Sequence, residues 1–352
     1  MTNQRAMSSF LMVTIFLVSY FYLEPIFFHV LILIVGGILF FELSSLLKLK
    51  GLGLAVYWFF SVYPLIFFLG LECFSPYAVS SYCGEDITLN ETPLWFQLLF
   101  GNWPGNSKYA VANMIMLSSL IASMIFWFFL APILIYTKKS LHHFLTPFYG
   151  FFLITPLIIS IGHIYNWDKG YGTDNHFSLL IIIMTIAVAD ISAYFVGKKF
   201  GVTKLAKNIS PGKTIEGMFG GFVGVVLFAF IIDSFWQSPF VFADSRLRDF
   251  GLLFSVMLAL IIAVLSVYGD IFESFLKRKA NVKDSGNIIP GHGGLLDRMD
   301  GYLATFPILV LMFDIYVSHI MFGNVAIHFY SELIEGFEAF GHYLALVLNP
   351  IT

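Results

Sequence analysis

Charged side chains are scarce in this chain: only 12% of its 352 residues are Asp, Glu, Lys or Arg, against 58% hydrophobic. With a mean hydropathy of +0.84, that balance excludes an ordinary soluble domain. No polar stretch is long enough to fold alone, and the longest, 74–108, is broken by Pro76, Pro93 and Pro104. Cysteine is nearly absent too. Cys73 and Cys83 are the only two, too few and too far apart for a zinc site, although an oxidising compartment would permit them to pair. The net charge is only −3 and sits in a few loops, so its placement says more than its sum. No nucleic-acid partner is expected.

What is present is a succession of apolar runs. Roughly 17 to 25 apolar residues span hydrocarbon as a helix, and nine runs qualify: 8–23, 26–47, 52–73, 109–136, 147–164, 177–197, 215–234, 250–272 and 301–322. The chain therefore reads as an all-α polytopic membrane protein with about nine transmembrane helices. The first run has Arg5 ahead of it, but no small-residue cleavage site follows, so it reads as retained rather than as a removed signal. With the N-terminus cytoplasmic and the C-terminus external, fifteen Lys and Arg residues fall inside and only Lys108, Lys169, Arg246 and Arg248 outside. That asymmetry is the one normal insertion produces.

The chain, 1–352, reads as a single membrane domain. Residues 1–176 hold N-terminal helices with the external loop 74–108, and 177–322 hold the polar helices and cytoplasmic loops. The tail 323–352, with Glu332, Glu335 and Glu338 among Phe and Leu, has the look of an amphipathic segment on the external surface. Asn90-Glu91-Thr92 fits a glycosylation acceptor, a triplet common by chance.

Hydropathy does not choose between transporter, channel and lipid-modifying enzyme. Ionisable residues at membrane depth do, because they are costly there without a task. They gather in two segments facing the cytoplasm, Asp190 to Gly217 and Gly269 to Asp300. In the second, Asp270, Glu273, Ser274, Lys277 and Arg278 share one helix face. Acid, hydroxyl and paired cations in that order suit a metal-bound nucleoside triphosphate, whereas either cation taken singly reads as a snorkelling helix end. Lys283 and Asp284 follow, then a glycine-rich loop through His292, Gly293 and Gly294 into Asp297, Arg298 and Asp300. Glycines allow backbone N–H groups close to phosphate, and the start of the ninth helix adds a dipole favourable to anions. Hard oxygen ligands beside such a cradle imply Mg2+. His292 reads as a structural or substrate-contact residue.

In the first segment Asp190 lies about two turns inside the helix end, where burial implies a partner: a tie to another helix, or a contact to nucleotide or metal. Gly212-Lys213-Thr214 looks like the end of a P-loop, but Lys207 stands where that motif needs glycine. The turn Ser210-Pro-Gly-Lys213-Thr214 still offers a hydroxyl, a cation and exposed N–H groups to a phosphate. Gly217, Gly220, Gly221 and Gly224 form overlapping GxxxG pairs, read as helix packing, and they permit a homodimer without requiring one. Glu42, near the cytoplasmic end of the second run, reads as a cap or tie. Asp233 and Asp314 lie towards external helix ends, and His142 and His143 beside Lys138 and Lys139 read as a basic loop meeting anionic headgroups.

From Ser274 to Asp300 the order Ser, Lys-Arg, Lys-Asp, Gly, Pro, His-Gly-Gly, Asp-Arg, Asp resembles the signature of phosphatidate cytidylyltransferases, and Asp190–Gly201 with Ser210–Gly217 resemble that family's upstream region. The similarity covers about 177–301 and departs at Ile215, where an aromatic is more usual. It implies Mg2+-dependent transfer from CTP to phosphatidic acid in the bilayer, with a second metal position, monovalent or divalent. Asp270 and Asp297 look like the metal carboxylates, and Ser274, Lys277, Arg278 and Asp300 like further catalytic residues. A related transferase acting on an isoprenoid lipid, or an ion-coupled transporter using Asp190 and Asp270, are the alternatives. A bacterial inner membrane is expected, since no long hydrophilic extension precedes the first run.

Overall fold

The computed structural model describes residues 2–73, 107–138, 145–170, 177–235, 251–289 and 293–322. Cys83, the Asn90 triplet, His142, His143, His292, most of the external loop and the tail lie outside them. Among the described residues each of the nine apolar runs is helical. The helices are α1 (Thr2–Tyr22), α2 (Pro25–Leu46), α3 (Gly51–Cys73), α4 (Ser107–Ile125) and α5 (Ala131–Thr137), then α6 (Tyr149–Gly170) and α7 (Ser178–Phe200). After these come α8 (Ile215–Phe235), α9 (Gly251–Ala280) and α10 (Leu296–Phe322). A π-helical turn, Phe126–Leu130, joins α4 and α5 into one rod.

Six of these rods are long and apolar enough to cross a membrane, and the first and third runs supply the shorter apolar stretches Phe10–Tyr22 and Gly51–Val62. The outward faces carry large apolar side chains such as Phe59, Phe128, Phe195, Phe219 and Leu227, as expected of helices solvated by lipid. The protein is thus a multi-pass helical membrane protein. Its axis is α6, whose apolar stretch is 78% buried and which packs on α2, α3, α4, α7 and α10.

The second half of the bundle positions the site. Helix α8 lies between α7 and α9, and α9 also packs along α10. The glycines of α8 are used here: a Cβ at Gly220 would run into Val196, one at Gly221 would meet the Ala189 carbonyl at 3.1 Å, and one at Gly217 would meet the Ala193 carbonyl at 2.9 Å. All three neighbours are on α7, so the GxxxG seam packs within the chain and is not left over for a second copy.

The fold is mostly helical, as expected of an all-α membrane protein, with one short addition the apolar pattern does not show: β1 (Lys204–Ala206) and β2 (Ser210–Thr214) form an antiparallel hairpin between α7 and α8. Pro211 and Gly212 disfavour a strand, and the ribbon persists because neighbouring groups hold its edges. The Glu216 carboxylate accepts the Val202 and Thr203 N–H groups at 3.1 Å, and Ile215 N–H donates to the Thr203 carbonyl at 2.9 Å.

Candidate active site

Helix α9 continues eight residues past the end of its expected apolar run, to Ala280, so its polar residues stand on a rigid helix rather than in a loop. Helical spacing pairs them locally: Ser274 Oγ donates to Asp270 Oδ1 at 3.3 Å, and Lys277 Nζ lies 2.5 Å from Glu273 Oε2. Their depths differ. Glu273 is fully buried and Ser274 nearly so, whereas Arg278 is exposed. By their contacts the stripe has an inner edge, Glu273 paired with Lys277, and an outer edge, Asp270 paired with Ser274, with Arg278 beyond.

Each edge is joined to another segment by a cation. On the inner edge Lys277 Nζ also donates to Asp297 Oδ1 at 2.8 Å, bridging α9 to the first turn of α10. On the outer edge Lys213, from β2, pairs with Asp270 Oδ2, and Arg278 Nε–H donates to the Ile209 carbonyl at 3.2 Å, fastening the hairpin to α9. Asp190 and Asp300 complete the mouth, each coupled electrostatically to Asp270 and Lys213. Asp190 is exposed on α7. The close approach of α9 and α10 rests on Gly269, where a Cβ would strike the Asp300 carbonyl.

Asp297 is held more tightly than any other carboxylate at the mouth. Its Oδ2 accepts Gly294 N–H at 2.8 Å and Ser285 N–H at 2.9 Å, while Oδ1 faces Lys277. Burial acts to raise its pKa, but the Lys277 ammonium and these N–H groups prevail and hold the carboxyl below the usual carboxylate range. Gly293 permits the loop geometry, because its φ of 83° is left-handed and a Cβ there would meet Asp297 Oδ2 at 2.7 Å.

The remaining expected residues are distributed unevenly. Ser210 pairs with Ala206 in the hairpin. Thr214 is buried, and its Oγ1 accepts Gly217 N–H at 3.1 Å, so its hydroxyl caps α8 instead of facing a phosphate. Lys283, Asp284 and Arg298 are exposed around the rim. Glu42 is the participant whose importance sequence reasoning underrated. It is buried and accepts Leu295 N–H at 2.9 Å, Leu296 N–H at 2.8 Å and the Ser285 hydroxyl at 3.2 Å. A carboxylate inside an apolar run was the available signal, but its partner segment lies far along the chain.

Asp190, Asp270, Asp297 and Asp300 thus meet Lys213, Lys277 and Arg278 at one mouth, with Glu273 buried behind Lys277, an arrangement suited to binding a polyanion with a metal ion. Among the described residues no three carboxylate, imidazole or thiol groups form a complete cation cage. Magnesium on nucleotide enzymes needs fewer, one or two carboxylates with waters and phosphate oxygens, and Asp270, partly exposed, fits that role. Asp297 fits it only after Lys277 leaves Oδ1.

Residues 3–316 match the model of the cytidylyltransferase family. The chain belongs to that family. This cytidylyltransferase-family chain is similar to the phosphatidate cytidylyltransferase of Thermotoga maritima, at 40% identity over 136 residues covering 39% of this chain and 48% of that one. It resembles the enzyme of the same name from Haemophilus influenzae at 34% identity, covering 54% of this chain and 67% of that one. With that of Bacillus subtilis the identity is 32%, covering 58% and 81%. The chain thus spans from about half to four-fifths of the length of these relatives.

Proposed function

We propose that this chain is a phosphatidate cytidylyltransferase: a phosphatidate oxygen attacks the α-phosphorus of CTP, the bond to the bridging oxygen breaks, and CDP-diacylglycerol and pyrophosphate form. The observation that carries the reading is the Lys213–Asp270 bridge, which draws the two distant polar segments to one mouth, where Lys277 in turn ties α9 to Asp297. Both reactants are anions, so the protein's work is positioning and charge neutralisation. Phosphatidate is already ionised at neutral pH and needs no nucleophilic side chain.

Lys213 and Lys277 pair with carboxylates and would turn to phosphate oxygens on a bound triphosphate. Arg278 keeps the hairpin, and with it Lys213, against α9. Asp270 and Asp297 would hold Mg2+, with Asp300 and Asp190 beside them, and a second ion, monovalent or divalent, would share this acidic mouth. Bound Mg2+ would supply neutralisation of charge on the transferring phosphoryl group. The substrate contacts in this reading include Ser210, Lys283, Asp284, His292, Gly293, Gly294 and Arg298, whereas Glu273, expected from the sequence among them, is fully buried against Lys277 and meets no substrate. The mouth faces the cytoplasm of a bacterial inner membrane, a placement supported by fifteen of nineteen Lys and Arg residues falling on that side. There CTP arrives from solution while phosphatidate stays in the bilayer. A homodimer, if formed, would use a face other than the α8 glycines.

Purified protein incubated with labelled CTP, Mg2+ and a lipid panel tests the reading. Label passing into phosphatidate is the expected result. Label entering only an isoprenoid phosphate, or ion flux without CTP consumption, overturns it.

A further inference from the structure

We infer that Glu42, in the N-terminal half of the chain, is a positioning residue for the active centre: from α2 it caps α10 and fixes the loop that orients Asp297. This rests on the cytidylyltransferase reading of the site. The residue at the N-cap of α10 is Leu295, which brings no side-chain acceptor, although a helix start leaves several N–H groups without intrahelical partners. The Arg298 and Met299 N–H groups turn back to the Leu295 carbonyl at 3.0 and 3.1 Å. Those of Leu295 and Leu296 have no such option, and each donates to one oxygen of Glu42.

The fit is close. The Glu42 side chain is 2% exposed, and its carboxylate sits between two glycines. A Cβ at Gly286 would meet Oε1 at 2.7 Å, and one at Gly294 would meet Oε2 at 2.6 Å. Only residues without side chains admit the carboxylate there.

Ser285 transmits the effect. Its hydroxyl donates to Glu42 Oε2 while its backbone N–H donates to Asp297, and Gly294, adjoining the capped Leu295, supplies the second N–H to Asp297. Both N–H groups that fix Asp297 therefore belong to residues that Glu42 holds or adjoins. Asp297 in turn holds Lys277. Glu42 touches no substrate in this scheme, and it sets where Asp297 and Lys277 stand when the triphosphate arrives.

The test is Glu42→Gln in the full chain, extracted in mild detergent. The amide keeps one acceptor but turns N–H donors towards an N–H donor. The loss of a charge-assisted bond is expected to lower kcat/KM for CTP by about tenfold or more. The KM for phosphatidate should hardly change, the thermal midpoint should fall modestly as a buried charge-assisted bond is lost, and amide exchange in the peptide carrying Leu295 and Leu296 should rise. A tie with no positioning role would lower the thermal midpoint and leave the kinetic constants of the folded fraction intact, which overturns the inference. So does unchanged exchange at Leu295 and Leu296. Should Glu42→Gln fail to fold, Ser285→Ala removes a single donor to Oε2 and is expected to move the same kinetic constant and the same peptide by less, and no movement again overturns it. A wild-type chain inactive on CTP and phosphatidate would refute the function, while the exchange measurement would still judge Glu42.

Discussion

Replacing Lys277 by Met separates the two tasks given to its ammonium. In the resting protein Nζ lies 2.5 Å from Glu273 Oε2 and 2.8 Å from Asp297 Oδ1, and the Glu273 side chain is fully buried. Met fills nearly the same volume but leaves the Glu273 carboxylate without its cation in a dry setting. Breaking a buried pair from one side costs about 3–5 kcal/mol, whereas Asp297 keeps its N–H donors from Ser285 and Gly294 and suffers less. Lys277→Met should therefore lower the thermal midpoint of the detergent-extracted protein markedly. Adding Glu273→Gln removes the stranded charge at constant shape and should restore at least ~2 kcal/mol of the loss. Turnover should not follow. With no ammonium at that point to neutralise triphosphate charge, kcat should stay about 100- to 1,000-fold down in both variants. Thermal unfolding followed by intrinsic fluorescence, beside incorporation of labelled CTP into lipid, reads both quantities on the same preparations. A stable Lys277→Met protein, or a double variant regaining turnover to within about tenfold, would refute the assignment of these two roles.

Asp270→Asn should extract and unfold much like wild type, because its side chain is 26% exposed, yet lose about 100-fold or more of its turnover. Asp297→Asn should lose as much turnover but also unfold at a lower temperature, since its side chain is 7% exposed and bonded to Lys277, Ser285 and Gly294. Near-normal rates in labelled-CTP assays would remove either from the metal role. Chelation of divalent ions should abolish CTP incorporation and added Mg2+ restore it, while persistent activity in excess chelator would exclude the metal-dependent reading. Gly269→Ala puts a methyl group against the Asp300 carbonyl. The overpacking is expected to cost about 1–3 kcal/mol and, by forcing α9 from α10, to lower kcat more than the KM for CTP.

Much was legible in the sequence because the physics behind it is local. A run of apolar residues long enough to cross hydrocarbon must satisfy its backbone internally, so each of the nine runs is a helix. Helical periodicity likewise fixed the neighbours along α9, and the Asp270–Ser274 and Glu273–Lys277 pairs follow from a spacing of four. The motif order from Ser274 to Asp300 pointed to the family without any coordinates.

Periodicity gives an angle about a helix's own axis, and it does not say which neighbour lies there or how deep. Only the tertiary structure set Glu273 in a dry interior while leaving Arg278 to bind a hairpin carbonyl. Only it paired Lys213 with Asp270 and Lys277 with Asp297, and turned a Pro- and Gly-containing segment into a strand by supplying partners for its edges. The Glu42 contact is the extreme case, joining residues 253 positions apart. A carboxylate in an apolar helix announces that a partner exists, but which N–H groups supply it depends on how the whole bundle packs.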